Sequence, residues 1–226
     1  MIEIKERLSE LDNRIYSVQK VEFLTDSAFI ITLPKARFKF EAGQHIICSS
    51  FGKHEAREYS IYNGVDDDRL EILVKEVVDG YFTPVLKRVQ VGDFLKIDGP
   101  HGRFSLDTDN ILHHKHIFIA TGTGIAPFHS IVKSNPKIDF QIIHGVRTSN
   151  EAYQRDHYSN GEYVLCTTSD QSGDYKGRLT GYLQHATFPH NTLFYLCGNG
   201  AMVYEAKQIL KRKGFSINSL FSEVYF

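Results

Sequence analysis

Through its first half the chain alternates apolar and polar residues in short bursts. The stretch RIYSVQKVEFLTDSAFIITLP (residues 14–34) has alternating and β-branched stretches and breaks near Thr25, Asp26 and Ser27. GQHIICSSF (43–51), REYSIYNG (57–64), LEILVKEVV (70–78) and DFLKIDGP (93–100) follow at short intervals, punctuated by Gly43, Gly64, Gly80, Gly92 and Gly99. Many short strands between glycine turns predict an antiparallel β-barrel or sandwich, with TPVLKRVQ (83–90) as one short helix within it.

Beyond a polar, histidine-rich stretch (106–116) the pattern changes. Apolar runs read as strands in HIFIAT (116–121), DFQIIHGVR (139–147), EYVLCTTS (162–169) and TLFYLCG (192–198). Helical spacing appears in APFHSIVKSN (126–135), GYLQHATF (181–188) and AMVYEAKQILKRKG (201–214), the last with Gly214 as a C-terminal stop. Strand–helix alternation predicts a parallel, doubly wound sheet. The expected architecture is an antiparallel β-barrel over 1–106 followed by an α/β domain over 107–226.

Composition and charge narrow the function. The 226 residues hold 26 basic and 27 acidic side chains, a net charge of -1 that gives no general case for a nucleic-acid partner. No run of about 20 apolar residues predicts membrane insertion. The N-terminal MIEIKERLSELDNR is charged and lacks a secretory h-region. Cys48, Cys166 and Cys197 are widely spaced and form no C-x-x-C, which fits buried thiols in a reducing cytoplasm rather than a zinc or iron–sulfur site. His113, His114 and His116 have no cysteine or carboxylate at ligand spacing, so no metal is expected there.

Four local motifs carry chemistry. In HIFIATGTGIAPF, Gly122 and Gly124 sit where a strand gives way to a helix, and Pro127 falls in the first helical turn. Glycines let a phosphate approach the backbone, and a helix start offers unpaired N–H groups; a tight βα turn with no ligand has the same pattern. In EAREYSIYNG, a regular strand puts Arg57 and Tyr59 on one face and Glu58 and Ser60 on the other. Arg57 suits a phosphate and Tyr59 a flat ring, although an edge strand alternates in the same way. In LCGNGAMVYEA, Cys197 closes an apolar run before Gly198, at a strand end where open α/β sheets bind ligands or simply bury a cysteine. The end of the chain, Glu223-Val224-Tyr225-Phe226, is aromatic where chain ends tend to be polar. A core-plugging strand or rings lying on a flat ligand would account for it.

Together with GPHGRF (99–104), these motifs, in this order, resemble the ferredoxin–NADP(+) reductase superfamily, most closely its bacterial and plastid-type ferredoxin or flavodoxin reductases. The resemblance covers nearly the whole chain and implies an FAD-binding barrel and an NAD(P)-binding α/β domain. Arg57, Tyr59 and Ser60 stand for the R-x-Y-S signature, Gly122, Thr123, Gly124 and Pro127 for G-T-G-x-x-P, and Cys197 and Gly198 for C-G. The family's terminal tyrosine, stacked on the flavin opposite the R-x-Y-S tyrosine, corresponds to Tyr225, its catalytic carboxylate to Glu223, and an adenine-facing ring to Phe226. The loop DGYFTP implies Gly80 and Thr83 at the FAD pyrophosphate and Tyr81 and Phe82 over the adenosine, with Val74, Lys75 and Thr123 completing the FAD set. Catalytic roles fall to Ser60, Cys197, Glu223 and Tyr225: Tyr225 moves aside for the nicotinamide, and Glu223 holds the carboxamide or handles protons through Ser60. Met202 joins the NAD(P) set. Ser169, Arg147 and Arg178 match a 2′-phosphate site, whereas Asp170 replaces the expected arginine and suits free ribose hydroxyls, so the reading leans to NADH with some NADPH use. The implied partner of a monomer is a one-electron carrier, ferredoxin or flavodoxin, and Lys35, Arg37, Lys39, Lys53 and Arg57 read either as its docking patch or as a solvated hairpin face. A free-flavin reductase, the reductase component of an oxygenase system and a non-catalytic electron-transfer subunit are the alternatives.

Overall fold

The computed structural model describes residues 12–36, 38–50, 55–106 and 111–225. Its contacts divide between Ser105 and Leu106 into two units.

The first unit is antiparallel throughout. Strands β1 (Ile15–Ser17), β2 (Lys20–Phe23), β3 (Ala28–Pro34), β4 (His45–Ser50), β5 (Ala56–Ser60), β6 (Arg69–Lys75) and β7 (Phe94–His101) form two sheets, ordered β1-β7-β4-β5 and β2-β3-β6. A bridge between Ile61 and Ile72 links them. The break after β2 is a side-chain turn, in which Thr25 Oγ1 accepts from the Ser27 and Ala28 amides. Alternation along β4 buries Ile46, Cys48 and Ser50 and leaves the residues between them half-exposed. Phe29, Ile31, Leu33, Ile72, Val74 and Leu95 fill the shared core. A short helix α1 (Thr83–Leu86) seals one side with Leu86.

The second unit is a six-stranded parallel sheet. Its strands are β8 (Lys115–Thr121), β9 (Phe140–Val146), β10 (Glu162–Thr167), β11 (Tyr175–Lys176), β12 (Thr192–Asn199) and β13 (Leu220–Tyr225). The order is β11-β10-β9-β8-β12-β13, so the chain winds outward from β8 in one direction and then restarts on its other side at β12. Helices α2 (Ala126–Ser134), α3 (Leu179–His185) and α4 (Gly200–Arg212) connect these strands. The central strands are buried on both faces, which is why they read as unbroken apolar runs. Asn199 caps α4 by accepting from the Ala201 and Met202 amides, and Lys211 and Arg212 sit at its negative end. Among the described residues, no helix is long and apolar enough to cross a membrane.

The histidine-rich stretch is only partly a connector. β8 begins at Lys115, and His116 is buried in it against Tyr195, with ring centroids 6.1 Å apart. His114 Nδ1 lies 2.9 Å from the Asn191 carbonyl oxygen. The chain end becomes β13, parallel to β12, with Leu220 buried, Phe221 and Val224 exposed and Tyr225 half-buried. Within β13, among the described residues, Leu220 is the one fully buried side chain. Phe226 lies outside the described residues.

Candidate functional site

Strand order locates a site in the second unit before any side chain is considered. In an open parallel sheet the connections after two neighbouring strands diverge where the order reverses, and a crevice opens beyond their C-terminal ends. Here those strands are β8 and β12. Beyond β8 comes Gly122-Thr123-Gly124-Ile125 in a tight 3-10 turn leading into α2, and Gly198 stands next to the last residue of β12.

These two strand ends touch backbone to backbone. A Cβ added to Gly124 would lie 2.4 Å from the Cys197 carbonyl oxygen and 2.8 Å from Gly198 Cα. One added to Gly198 would lie 2.3 Å from Thr121 Oγ1, at a φ of +128°. The Asn199 amide donates to the same Thr121 hydroxyl at 3.0 Å. Gly122 differs: its φ is +53°, and a Cβ there would meet nothing within 4 Å. Among the described residues, no side chain caps this turn or the start of α2. Space beside a glycine, next to helix-start amides, suits a pyrophosphate. Pro127 stands in the first turn of α2, where its missing N–H costs little.

Register sets Glu223 of β13 opposite Cys197 and Tyr225 opposite Asn199. Cys197 has no exposed surface, and burial, with the Glu223 charge second, holds its thiol well above the ordinary cysteine range. A hydrogen bond from Tyr225 opposes that shift without reversing it. Cys197 is therefore a neutral thiol near neutral pH and not a nucleophile. The strand-end motif and the chain-terminal motif form one cluster.

The flanking loops hold the residues expected at the 2′ position. Arg147, Ser169 and Arg178 are all exposed. Asp170 accepts from the Ser149 amide at 2.6 Å and the Ser172 amide at 3.2 Å. The Ser149 bond is the larger reason why its carboxyl lies far below the usual range. Asp170 thus stays ionised and also pins the loop after β9 to the loop after β10. Because the folded group titrates low, this anchor is intact above the ordinary carboxylate range and loosens only as pH falls below it.

In the first unit, β5 pairs with β4 so that Arg57 and Tyr59 lie opposite Cys48 and Ile46, while Glu58 and Ser60 lie opposite Ile47 and His45. Tyr59 packs on the barrel core, 6.5 Å from the Phe82 ring, and burial pushes its hydroxyl well above the phenol range. Arg57 is exposed, with Nη1 donating to the Ala56 carbonyl at 2.7 Å. Ser60 is buried. The Gly80 amide closes a turn on the Val77 carbonyl at 2.8 Å, and Thr83 Oγ1 accepts from the Val77 amide at 2.8 Å. Tyr81 projects from that loop at 86% exposure. A cation, a ring seated on the wall and a small polar loop match the diphosphate and ring system of a flavin dinucleotide.

Phe82 and Val74 pack in the barrel core, and Met202 packs in the core beneath α4. The Lys35 ammonium donates to the Val65 and Asp67 carbonyls. Arg37 and Lys53 lie outside the described residues. Lys39 is exposed, and Lys75 is half-buried at the end of β6. Residues missed from the sequence are Thr121, Asn199 and His144, the last with Nε2 2.8 Å from the Gly122 carbonyl oxygen. Thr121 alone carried a signal, as the last residue before the glycines. Among the described residues no metal-ligand cluster occurs.

Residues 18–106 match the family model described as an oxidoreductase FAD-binding domain, and residues 118–208 one described as an oxidoreductase NAD-binding domain. The chain is 28% identical to the ferredoxin–NADP reductase of Azotobacter vinelandii, covering 91% of this chain and 92% of that one. It is 28% identical to a CDP-6-deoxy-L-threo-D-glycero-4-hexulose-3-dehydrase reductase of Yersinia pestis, over 96% and 71% of the two chains. Among solved structures, the Amycolatopsis cytochrome P450 reductase GcoB matches with a TM-score of 0.82 at 25% identity, over 92% of this chain and 68% of that one. A Neisseria gonorrhoeae ferredoxin NADP+ reductase with bound FAD and NADP shares the fold, with a TM-score of 0.83 at 22% identity over 94% and 98%.

Proposed function

This chain belongs to the ferredoxin–NADP(+) reductase superfamily, and from that premise we propose that it is a flavoprotein oxidoreductase passing electrons between NAD(P)H and a one-electron carrier protein, ferredoxin or flavodoxin. The observation that carries this reading is the meeting of Gly124 with Cys197 and Gly198 at the reversal of strand order, with Glu223 and Tyr225 in register beside it.

Bound FAD supplies the hydride acceptor and returns electrons singly. The chain's own residues bind and orient. Arg57 neutralises the FAD pyrophosphate, and the Gly80 turn and the Thr83 hydroxyl complete that site. Tyr59 gives the flavin a flat wall, and Ser60 contributes a hydroxyl at its edge. Tyr81 covers the adenosine, and Phe226 retains the adenine role that the family resemblance implies. The amides of Gly122, Thr123 and Gly124 receive the pyrophosphate of the nicotinamide nucleotide. Cys197, held as a neutral thiol, packs against the nicotinamide, and Glu223 accepts from its carboxamide. Three buried free cysteines fit a reducing cytoplasm, and a monomer is the simplest assembly.

Tyr225 competes with the nicotinamide for one place in this reading. Replacing it with alanine removes a state that must open before coenzyme binds. Tyr225→Ala is expected to bind NAD(P)H on the order of tenfold more tightly while turning over more slowly, because release becomes limiting. Spectral titration and steady-state kinetics check both halves; unchanged affinity would refute the displacement.

The fixed Asp170 charge opposes a 2′-phosphate, whereas Arg147 and Arg178 favour one, and the balance leans to NADH. Asp170→Asn keeps an amide oxygen for one backbone contact and removes the charge. It should shift the kcat/KM ratio toward NADPH by about tenfold. A ratio within twofold of the parent protein would rule out Asp170 as the discriminator.

Reductase components of oxygenase systems are a second reading, favoured by relatives such as a reductase component of the terephthalate 1,2-dioxygenase of a Comamonas species, 27% identical over 84% of this chain and 60% of that one. The two readings share chemistry and differ in acceptor. NAD(P)H-driven reduction of cytochrome c, mediated by purified ferredoxins and flavodoxins, separates them; failure with every such carrier would contradict the first.

A further inference from the structure

The glycine turn after β8 is held from inside the sheet by one histidine. His144 lies in β9, opposite Ala120 of β8 and Leu165 of β10, and has no exposed surface. Its Nε2 is 2.8 Å from the Gly122 carbonyl oxygen, and its Nδ1 is 2.6 Å from the Tyr163 hydroxyl. A carbonyl can only accept, so Nε2 carries the hydrogen. In the neutral ring Nδ1 is then an acceptor, and Tyr163 donates to it. Burial holds the Tyr163 hydroxyl above the phenol range, so it keeps the proton it donates. Tyr163 is itself clamped. The Arg155 guanidinium lies 5.0 Å over its ring and pairs with Asp174 at 3.0 Å, and Asp174 accepts from the Leu165 amide at 2.8 Å.

Peptide geometry gives this bond a consequence. The Gly122 carbonyl and the Thr123 amide belong to one planar trans peptide and point in opposite directions. A carbonyl drawn inward to His144 therefore turns the Thr123 N–H outward. The left-handed φ of Gly122 permits that orientation, and the space beside Gly122 is open.

We propose that His144, fixed as its Nε2–H tautomer by Tyr163, is a positioning residue that aims the Thr123 amide at the pyrophosphate of the nicotinamide nucleotide. The inference rests on the coenzyme reading of the glycine turn. Its test compares the flavin-loaded parent protein with His144→Phe, His144→Gln and Tyr163→Phe. Phenylalanine fills the space without a donor, whereas the glutamine amide can still donate to the Gly122 carbonyl. For His144→Phe, the KM of the preferred coenzyme should rise about tenfold with kcat and FAD content little changed, the signature of lost uniform binding. His144→Gln should recover most of the affinity, and Tyr163→Phe should fall between them. In a two-bond nitrogen–proton correlation spectrum of the parent protein, one fully buried histidine should appear as the neutral Nε2–H tautomer and become mixed in Tyr163→Phe. Parent-like KM in His144→Phe, or equal loss in both His144 variants, would overturn the proposal. If His144→Phe does not fold, an Nδ1–H tautomer in the parent spectrum overturns it instead. A parent protein that oxidises neither NADH nor NADPH overturns the coenzyme reading itself, an outcome distinct from each of these.

Discussion

Gly124→Ala protein is expected to purify yellow and to be nearly inert toward NADH and NADPH. The new methyl carbon would sit 2.4 Å from the Cys197 carbonyl oxygen and 2.7 Å from its carbon. Both are backbone atoms of β12, which is hydrogen-bonded to β8 on one side and β13 on the other. No flexible side chain can yield, so the strand ends must part by a large fraction of an ångström. That displaces Cys197 and Gly198 together, along with Glu223 and Tyr225, which are paired to the same strand end. Misplacement on the scale of 1 Å costs about a hundredfold in rate when chemistry depends on alignment. We expect kcat/KM for NAD(P)H to fall by about that factor or more, with a stability loss of about 1–3 kcal/mol from overpacking. The residues matched to the FAD-binding domain, 18–106, lie elsewhere in the chain, so flavin content should hold. Stopped-flow reduction of the bound flavin, with a thermal melt, measures both. Coenzyme reduction within a few-fold of the parent would show that the strand-end contact does not position the reaction.

The second large effect is the reverse: fold kept, flavin lost. Arg57 is exposed, so Arg57→Ala should alter stability by no more than about 0.5 kcal/mol. Its guanidinium is the charge assigned to the FAD pyrophosphate, and a lost charge-assisted hydrogen bond weakens binding by roughly 10- to 100-fold. Tyr59→Ser removes the wall under the flavin ring and should act in the same direction. The double variant should leave the column close to colourless, with a circular dichroism spectrum like that of the parent. Absorbance at the flavin band relative to protein, followed by titration with added FAD, gives the affinity. Parent-like flavin content in the double variant would remove Arg57 and Tyr59 from the cofactor site.

How much of this was legible in the sequence depended on whether the cause was local. The alternation in HIICSS specified a half-buried antiparallel strand, and the unbroken apolar run HIFIAT specified a strand covered on both faces. Gly124 and Gly198 were visible as glycines at strand ends. Their reason, that each fits against the backbone of the other's strand, was not visible, because 74 residues separate them. The core packing of Phe82 and Met202 was hidden for a related cause. A loop aromatic and a helix-start methionine look the same in sequence whether they face a ligand or the core, and neighbouring elements decide. Lys35 read as a free cation because its carbonyl partners, Val65 and Asp67, come from a distant turn. Asp170 was read through its charge alone, and its grip on the Ser149 amide depends on the register of β9 and β10. His144 gave no signal, since one histidine in an apolar strand forms no pattern until Gly122 and Tyr163 close on it.

The most direct test is an anaerobic titration of the purified protein with NADH and with NADPH, followed at the flavin absorbance band. The expected result is one FAD per chain, bleached in proportion to the reduced coenzyme added, and its colour restored by an oxidised one-electron carrier. Protein that holds no flavin after reconstitution, or a bound flavin that neither coenzyme bleaches, would contradict the account.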